Sequence, residues 1–544
     1  MRLALLLCSP CLALLACGDA VQNASAPAAM ARAASQAQSP PLPPPPALGT
    51  NLASIDYYAS ALTFTDLMKE SSPFDPAESD DEKAGSTTLE KDADGWVRSL
   101  QGERYATLMR RGLRDSAGRP RHPAGDYVFL YDGEGEFRFR FDAKLVENDP
   151  KRGRALVRVR PSGAGIRIEV TRTNPENPMR NFRLLPAGQE TETPPALFNP
   201  WFLEKLKPFG VLRFMDWQRT NDSPLVEWKD RTRPSSQTQA SAHGVAVEFM
   251  VDLANELGAD PWFCMPHQAS DDFVRRFAEL VRERLDPERV VYIEYSNEVW
   301  NGGFEQSDWA EEQGRRLGLG APEGHRFYAQ RSVEIFRIWE EAFGGLDRLR
   351  RVLASQNANP RVAEQILDFA PAGGPASHQD ADYLAVAPYF AGMNINACDD
   401  GNEIARARSM RPEEILERAR QHATAVLERA AENRRVAQAR RNAQGRALQL
   451  VAYEGGPHLV GTCGGENDQE LTDRLMATNR HPMMGDVYLE YLKRWQEIGG
   501  LLFAHFSSTS PHGKWGSWGF DEWYDAKRTP KREALETFAA SQPR

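Results

Sequence analysis

The chain reads as an α/β protein built on a (β/α)8 TIM barrel, with an antiparallel β-sandwich inserted between the first and second barrel strands. Three observations predict it. From about residue 205 onward, short apolar runs alternate with stretches that carry apolar residues at helical spacing, the pattern of strand and crossover helix. Two of those runs end in a glutamate where a strand emerges into a loop, Glu298 and Glu454. Between 95 and 190 the period falls to two, which signals sheet with one wet face.

The elements follow in order. A first strand is expected at 49–55, and further strands at 211–215, 262–265, 290–295, 352–354, 383–389, 448–453 and 501–506. Between them, Ser270 before Asp271 and Asp272 marks a helix start, with Phe273, Phe277, Val281 and Leu285 on one face and Pro287 beyond its end. A second helix begins at Pro412, its many Arg and Glu residues forming a solvated outer face. A third spans about 486–498, and Gly499-Gly500 stops it. Within the insert, 137–141, 157–160 and 166–170 alternate strictly, and Asp132-Gly133-Glu134-Gly135 is a turn between two strands. An open doubly wound sheet fits the same alternation, but no Gly-x-Gly-x-x-Gly or Walker-type loop follows any strand.

The amino-terminal segment has a different character. Residues 1–16 form a charged tip and an apolar run too short to span a bilayer, a secretory signal. Leu14-Leu15-Ala16-Cys17-Gly18 resembles the lipobox of bacterial lipoproteins, which implies lipidation of Cys17; an ordinary signal peptide cut nearby is the alternative. Residues 17–48 are Ala, Ser, Gln and Pro, a tether with too little apolar surface to order itself. The remaining division is 49–94 for the first barrel strand and helix region, 95–190 for the insert and 191–544 for the rest of the barrel. An exported chain lives where disulfides survive, and Cys398 and Cys463, expected on neighbouring loops, are candidates for one bridge; Cys264 lies in an apolar run as a buried thiol.

Composition narrows the function. With 76 acidic against 66 basic residues, a net charge of −10 and no long basic stripe, nucleic-acid binding is disfavoured. No His or Cys cluster has metal-ligand spacing, and neither metal nor cofactor is expected. Two carboxyl groups presented from strand ends can cleave a glycosidic bond, one protonating the leaving oxygen while the other attacks or activates water. The bland alternative is a pair of rim residues bound to arginines. Arg213, ending the second strand, could hold Glu454 by charge-assisted hydrogen bonds, and Tyr389 could donate its phenol to it. His267 could meet a sugar hydroxyl, and Trp300, Trp515, Trp518 and Trp523 are candidate platforms for a pyranose face.

The Ser296-Asn297-Glu298 step after the fourth strand, with Glu454 after the seventh, resembles the clan A glycoside hydrolases, retaining enzymes on (β/α)8 barrels. That resemblance implies Glu298 as general acid and base with a raised pKa, Glu454 as ionised nucleophile about 5 to 5.5 Å away, and Asn297 as donor to the sugar 2-hydroxyl. The chain departs from the pattern in Ala387-Pro388-Tyr389, where many members have a histidine two before the tyrosine, and in 503–507, which lacks the usual tryptophan. Residues 294–301 also match a string found in bacterial exported proteins labelled cellulose-binding. Together these imply a membrane-anchored retaining β-glycosidase with an oligo- or polysaccharide substrate; the alternative is a surface lipoprotein that binds carbohydrate without turnover.

Overall fold

The computed structural model describes residues 42–76, 89–192, 195–371, 373–391 and 401–542. Eight parallel strands close into a barrel: β1 Leu48–Asn51, β2 Val211–Arg213, β3 Asp260–Met265, β4 Val291–Tyr295, β5 Leu349–Ala354, β6 Tyr383–Val386, β7 Gln449–Ala452 and β8 Phe503–His505. Closure is direct, with Leu48 opposite Phe503 and Gly49 opposite Val211. Gly49 suits that close seam, because a Cβ there would press on the Val211 carbonyl oxygen at 3.0 Å.

The strands read as continuous apolar runs because both faces are buried, yet the two faces do different work. Phe263, Met265, Val291 and Ile293 face the outer helices in the main core. Val211, Trp262, Cys264, Tyr292 and Tyr383 pack into the lumen. The same alternation turns Arg213 and Glu294 inward, two charged side chains without solvent contact.

The helices begin and end as their sequence dictates. Ser270 Oγ accepts from the Phe273 amide at the start of the helix Asp271–Arg284. The long Arg- and Glu-rich helix is Pro412–Gln438, and the third is Met483–Glu497. Gly500 beyond it is confined by packing, since a Cβ would fall 2.2 Å from the Trp495 ring. No helix among the described residues is long and apolar enough to cross a membrane.

Two four-stranded antiparallel sheets lie between β1 and β2 in the sequence. One orders Asp75–Pro76, Ala106–Arg111, Gly165–Thr173 and Gly135–Phe141; the other orders Arg180–Pro186, Gly125–Asp132, Arg154–Val159 and Ala143–Asp149. Leu108, Phe129, Phe139, Val157, Ile168 and Leu184 from the two sheets share one apolar cluster. The Asp132–Gly135 turn joins strands of opposite sheets, so it is a corner, and Gly133 is needed there: its φ is 84° and a Cβ would sit 2.1 Å from the Pro178 oxygen. The first sheet also recruits Asp75–Pro76, upstream of the boundary expected at 95.

One further difference from expectation has a local cause. The sixth strand stops at Val386, because Pro388 offers no amide to the ladder. Tyr389–Phe390 instead forms a separate parallel pair with Gly456–Pro457. Cys264 is a buried free thiol, as its apolar run predicts. Cys463 is disulfide-bonded, while Cys398 and the lipobox cysteine Cys17 lie outside the described residues.

The sheets are fastened to the barrel mouth by a buried charge pair. Arg110 donates to the Tyr57 and Ala59 carbonyls, each at 2.6 Å, in the loop that follows β1. Its guanidinium also lies 3.0 Å from Glu70, which accepts from the Thr63 amide at 2.6 Å.

Candidate active site

The site is assembled at the carboxyl ends of the strands, around Arg213. That guanidinium is fully buried and spends its donors on four side chains. Nη1 reaches Glu454 Oε1 at 2.8 Å and Asn51 Oδ1 at 3.0 Å, and Nη2 reaches Asn297 Oδ1 at 2.9 Å. Nε and Nη2 both bind Glu294 Oε2, at 3.1 and 3.0 Å. A planar guanidinium can serve so many partners only in a fixed orientation. The rings of Trp262 and Tyr453 flank it, at 5.6 and 5.0 Å from centroid to Cζ.

Glu454 is bound through both oxygens. Arg213 takes Oε1, and Tyr389 donates its hydroxyl to Oε2 at 2.9 Å. Glu298 is less enclosed: Tyr453 donates to Oε1 at 2.7 Å and Asn301 to Oε2 at 2.9 Å. Both Ser296 and Glu298 have positive φ, 57° and 44°, so the chain turns sharply as it leaves β4. Asn297 is held from behind, donating to Asn221 at 3.0 Å, while Gln306 Nε2 donates to the Asn297 carbonyl at 2.8 Å.

The electrostatics correct one expectation. Burial pushes the Glu454 carboxyl up to about 8; Arg213 opposes this, the charge of Glu298 adds to it, and the Tyr389 hydrogen bond opposes it. Glu454 is thus not simply an ionised group awaiting a sugar. The two glutamates feel each other's charge, as a pair at one rim must. Burial, reinforced by the neighbouring carboxylates, lifts the Tyr389 and Tyr453 phenols well above their ordinary range, so both remain donors at neutral pH.

Of the residues singled out in the sequence, Arg213, Asn297, Glu298, Tyr389 and Glu454 come together. Trp300 is half-buried beside them, its ring edge-on to Tyr453 at 6.3 Å. Trp518 reaches Tyr389 at 5.8 Å and Phe506 at 5.7 Å from the loop after β8, so a loop tryptophan stands beside the strand end that lacks one. Trp515, 44% exposed, carries Lys514 over its ring and packs less closely. Trp523 instead lies under Arg121 of the inserted sheets. His267 is buried against Trp309, and burial pushes its imidazole down to about 4, so it is neutral.

Sequence reasoning missed Glu294, Asn51 and Tyr453. Glu294 gathers Arg213, the Trp262 indole at 2.9 Å and the Cys264 thiol at 3.4 Å onto one oxygen, and burial raises its pKa. Its place, four before Glu298 on a strand with inward Tyr292, was the available signal. Among the described residues, no group of three or more His, Cys, Asp or Glu is arranged to hold a metal ion.

No family model and no curated protein matches the chain. Among solved structures it is similar to a Bacteroidetes-affiliated GH5 cellulase (11% identity, TM-score 0.33, covering 63% of this chain and 84% of that one). It is also similar to an endo-β-1,4-mannanase from Thermotoga petrophila (11%, 0.30, 62% and 72%). A third is a family 39 glycoside hydrolase from Bacteroides cellulosilyticus WH2 (9%, 0.31, 76% and 77%). At such values these likenesses stand beside the geometry and add no assignment to it.

Proposed function

We propose that this chain is a retaining glycoside hydrolase acting on a β-linked glycan. The observation that carries the reading is Arg213 joining Asn297 to Glu454 while Tyr453, the residue before Glu454, holds Glu298, so that both carboxyls belong to one hydrogen-bonded network.

Glu298 enters as the acid and gives its proton to the glycosidic oxygen as the bond to the anomeric carbon breaks. The ionised form of Glu454 attacks that carbon, forming a glycosyl ester. Glu298, now a carboxylate, takes a proton from water, whose oxygen displaces Glu454 and restores both groups. Arg213 and Tyr389 hold the Glu454 oxygens, and Asn297, bound by Arg213 and donating to Asn221, would offer its remaining amide hydrogen to the sugar beside the reacting carbon. Trp300, beside Tyr453, and Trp518, beside Tyr389, would supply ring surface to the sugar. We place the protein outside the cytoplasm, lipidated at Cys17, with the segment between Cys17 and β1 as the tether to the membrane; the tether expected to reach residue 48 ends before Leu48, which opens β1.

Glu454→Ala should abolish release of nitrophenol from an aryl β-glycoside, and azide should restore it with a glycosyl azide of inverted anomeric configuration. Glu298→Ala should lose far less on that substrate than on one with a poor leaving group. Unchanged activity in both variants overturns the assignment. A second reading, a barrel that holds glycan without cleaving it, is favoured by the Glu454 carboxyl being pushed up to about 8, where its neutral form binds but does not attack. Glycan binding without any product from any aryl glycoside would select it.

A further inference from the structure

Where the inserted sheets meet the barrel mouth, a cleft of about 470 Å³ is walled by Tyr58, Met109, Arg111, Leu113, Arg114 and Pro511. Two of its walls are loops of the candidate active site: Tyr58 lies seven residues after Asn51, which binds Arg213, and Pro511 follows β8. These loops are tied together, since the Ala53 amide donates to Ser508 Oγ at 2.8 Å. The other wall is the end of the strand Ala106–Arg111, pinned to the first loop by the Arg111 amide on the Tyr57 carbonyl at 2.8 Å.

Two guanidinium groups in this cleft, those of Arg111 and Arg114, are exposed and have no carboxylate partner among the described residues. Arg114 spends Nη1 on the Gly118 carbonyl at 2.7 Å and Nη2 on the Ser162 carbonyl, neutral partners that fix the guanidinium without cancelling it. The nearby acids are already paired: Asp115 with Arg119, Asp142 with the Ser162 and Gly165 amides, and Asp56, which also touches Tyr58, with Arg219 and Ser54. Tyr58 is 37% exposed and braced edge-on against Tyr57, so it offers a fixed ring. Two guanidinium charges beside an aromatic face, in a chain of net charge −10, make a local site for an anionic group attached to a sugar ring.

We propose that this cleft is an accessory subsite for an acidic glycan, one whose sugars carry carboxylate or sulfate, running from the barrel mouth onto the inserted sheets. It rests on the glycosidase reading only for the direction of the chain, and binding tests it without turnover. The probes share one β-linked backbone: carboxymethylcellulose, cellulose sulfate and neutral hydroxyethylcellulose, each measured by biolayer interferometry on the immobilised Glu454→Ala chain. At least tenfold tighter binding of an anionic polymer than of the neutral one is expected. Preference for carboxymethylcellulose identifies carboxylate, and preference for cellulose sulfate identifies sulfate. Arg111→Glu should erase the preference, while the equally charge-changing Arg276→Glu on an outer helix should leave it intact. Equal binding of all three polymers, binding of none, a preference surviving Arg111→Glu, or one lost equally in Arg276→Glu overturns the proposal.

Discussion

Tyr453 donates its hydroxyl to Glu298 at 2.7 Å, although its own neighbour in the chain is Glu454. A single strand exit therefore carries one carboxyl and positions the other. The Tyr453 ring also lies against the Arg213 guanidinium, so its hydroxyl has little freedom to follow Glu298 if that side chain moves.

Tyr453→Phe leaves Glu298 held by Asn301 alone. A hydrogen bond to a charged group contributes about 1.5–3 kcal/mol, on the order of tenfold or more in rate. The loss should appear in kcat/KM for glycosides with poor leaving groups and be smaller for nitrophenyl glycosides, so the ratio of the two is the measurement. Equal losses on both substrates would show that the tyrosine does not act through the acid.

Attack on the anomeric carbon requires ionised Glu454, whose carboxyl is pushed up to about 8. With an activated aryl glycoside, kcat/KM should therefore climb with pH through the region below about 8. The Tyr389 hydrogen bond lowers that pKa, so Tyr389→Phe should move the rising limb to higher pH. A limb that stays in place would remove Tyr389 from this role.

The same shift bears on stability. Between about 4.5 and about 8 the folded chain keeps the Glu454 proton and the unfolded chain does not. More protons are then bound in the native state, and stability falls as pH rises across that window. Glu454→Gln removes this contribution, so the thermal midpoint of the native chain should decline from pH 5 to pH 8 relative to that of the variant. Parallel curves would contradict the shift.

Glu294→Gln keeps the shape of the side chain and removes the charge that faces Arg213. With the guanidinium less firmly oriented, kcat should fall at least tenfold while KM changes little, because Glu294 is buried beneath the site. Removing one partner of a buried ion pair costs about 3–5 kcal/mol of stability, so the melting temperature should drop as well. A lower melting temperature with unchanged kcat would confine Glu294 to a structural role.

The barrel was legible because fully buried parallel strands are written as apolar runs, and Glu298 and Glu454 stood out because they end such runs. Glu294 did not, since a carboxylate within a run looks like an interruption until the lumen supplies its guanidinium. The end of the sixth strand was misplaced because Tyr389 continues the aromatic pattern while Pro388 has already broken the ladder. Asp75–Pro76 escaped notice as a strand because two exposed residues have no period. The state of Glu454 depends on burial summed over the whole rim, which no local string encodes.

The first strand pairs on one side with residues some 160 positions away and on the other with residues some 450 away. Leu48–Asn51 is synthesised before either neighbour, and every strand of the intervening sheets precedes Val211 in the chain. The seam that closes the ring, Leu48–Thr50 against Phe503–His505, therefore requires nearly the whole chain, whereas Asn51 meets Arg213 across the other edge of the first strand. A chain cut short ahead of Phe503 leaves the first and seventh strands each without a neighbour on one edge, the two strands from whose ends Asn51 and Glu454 reach the central arginine.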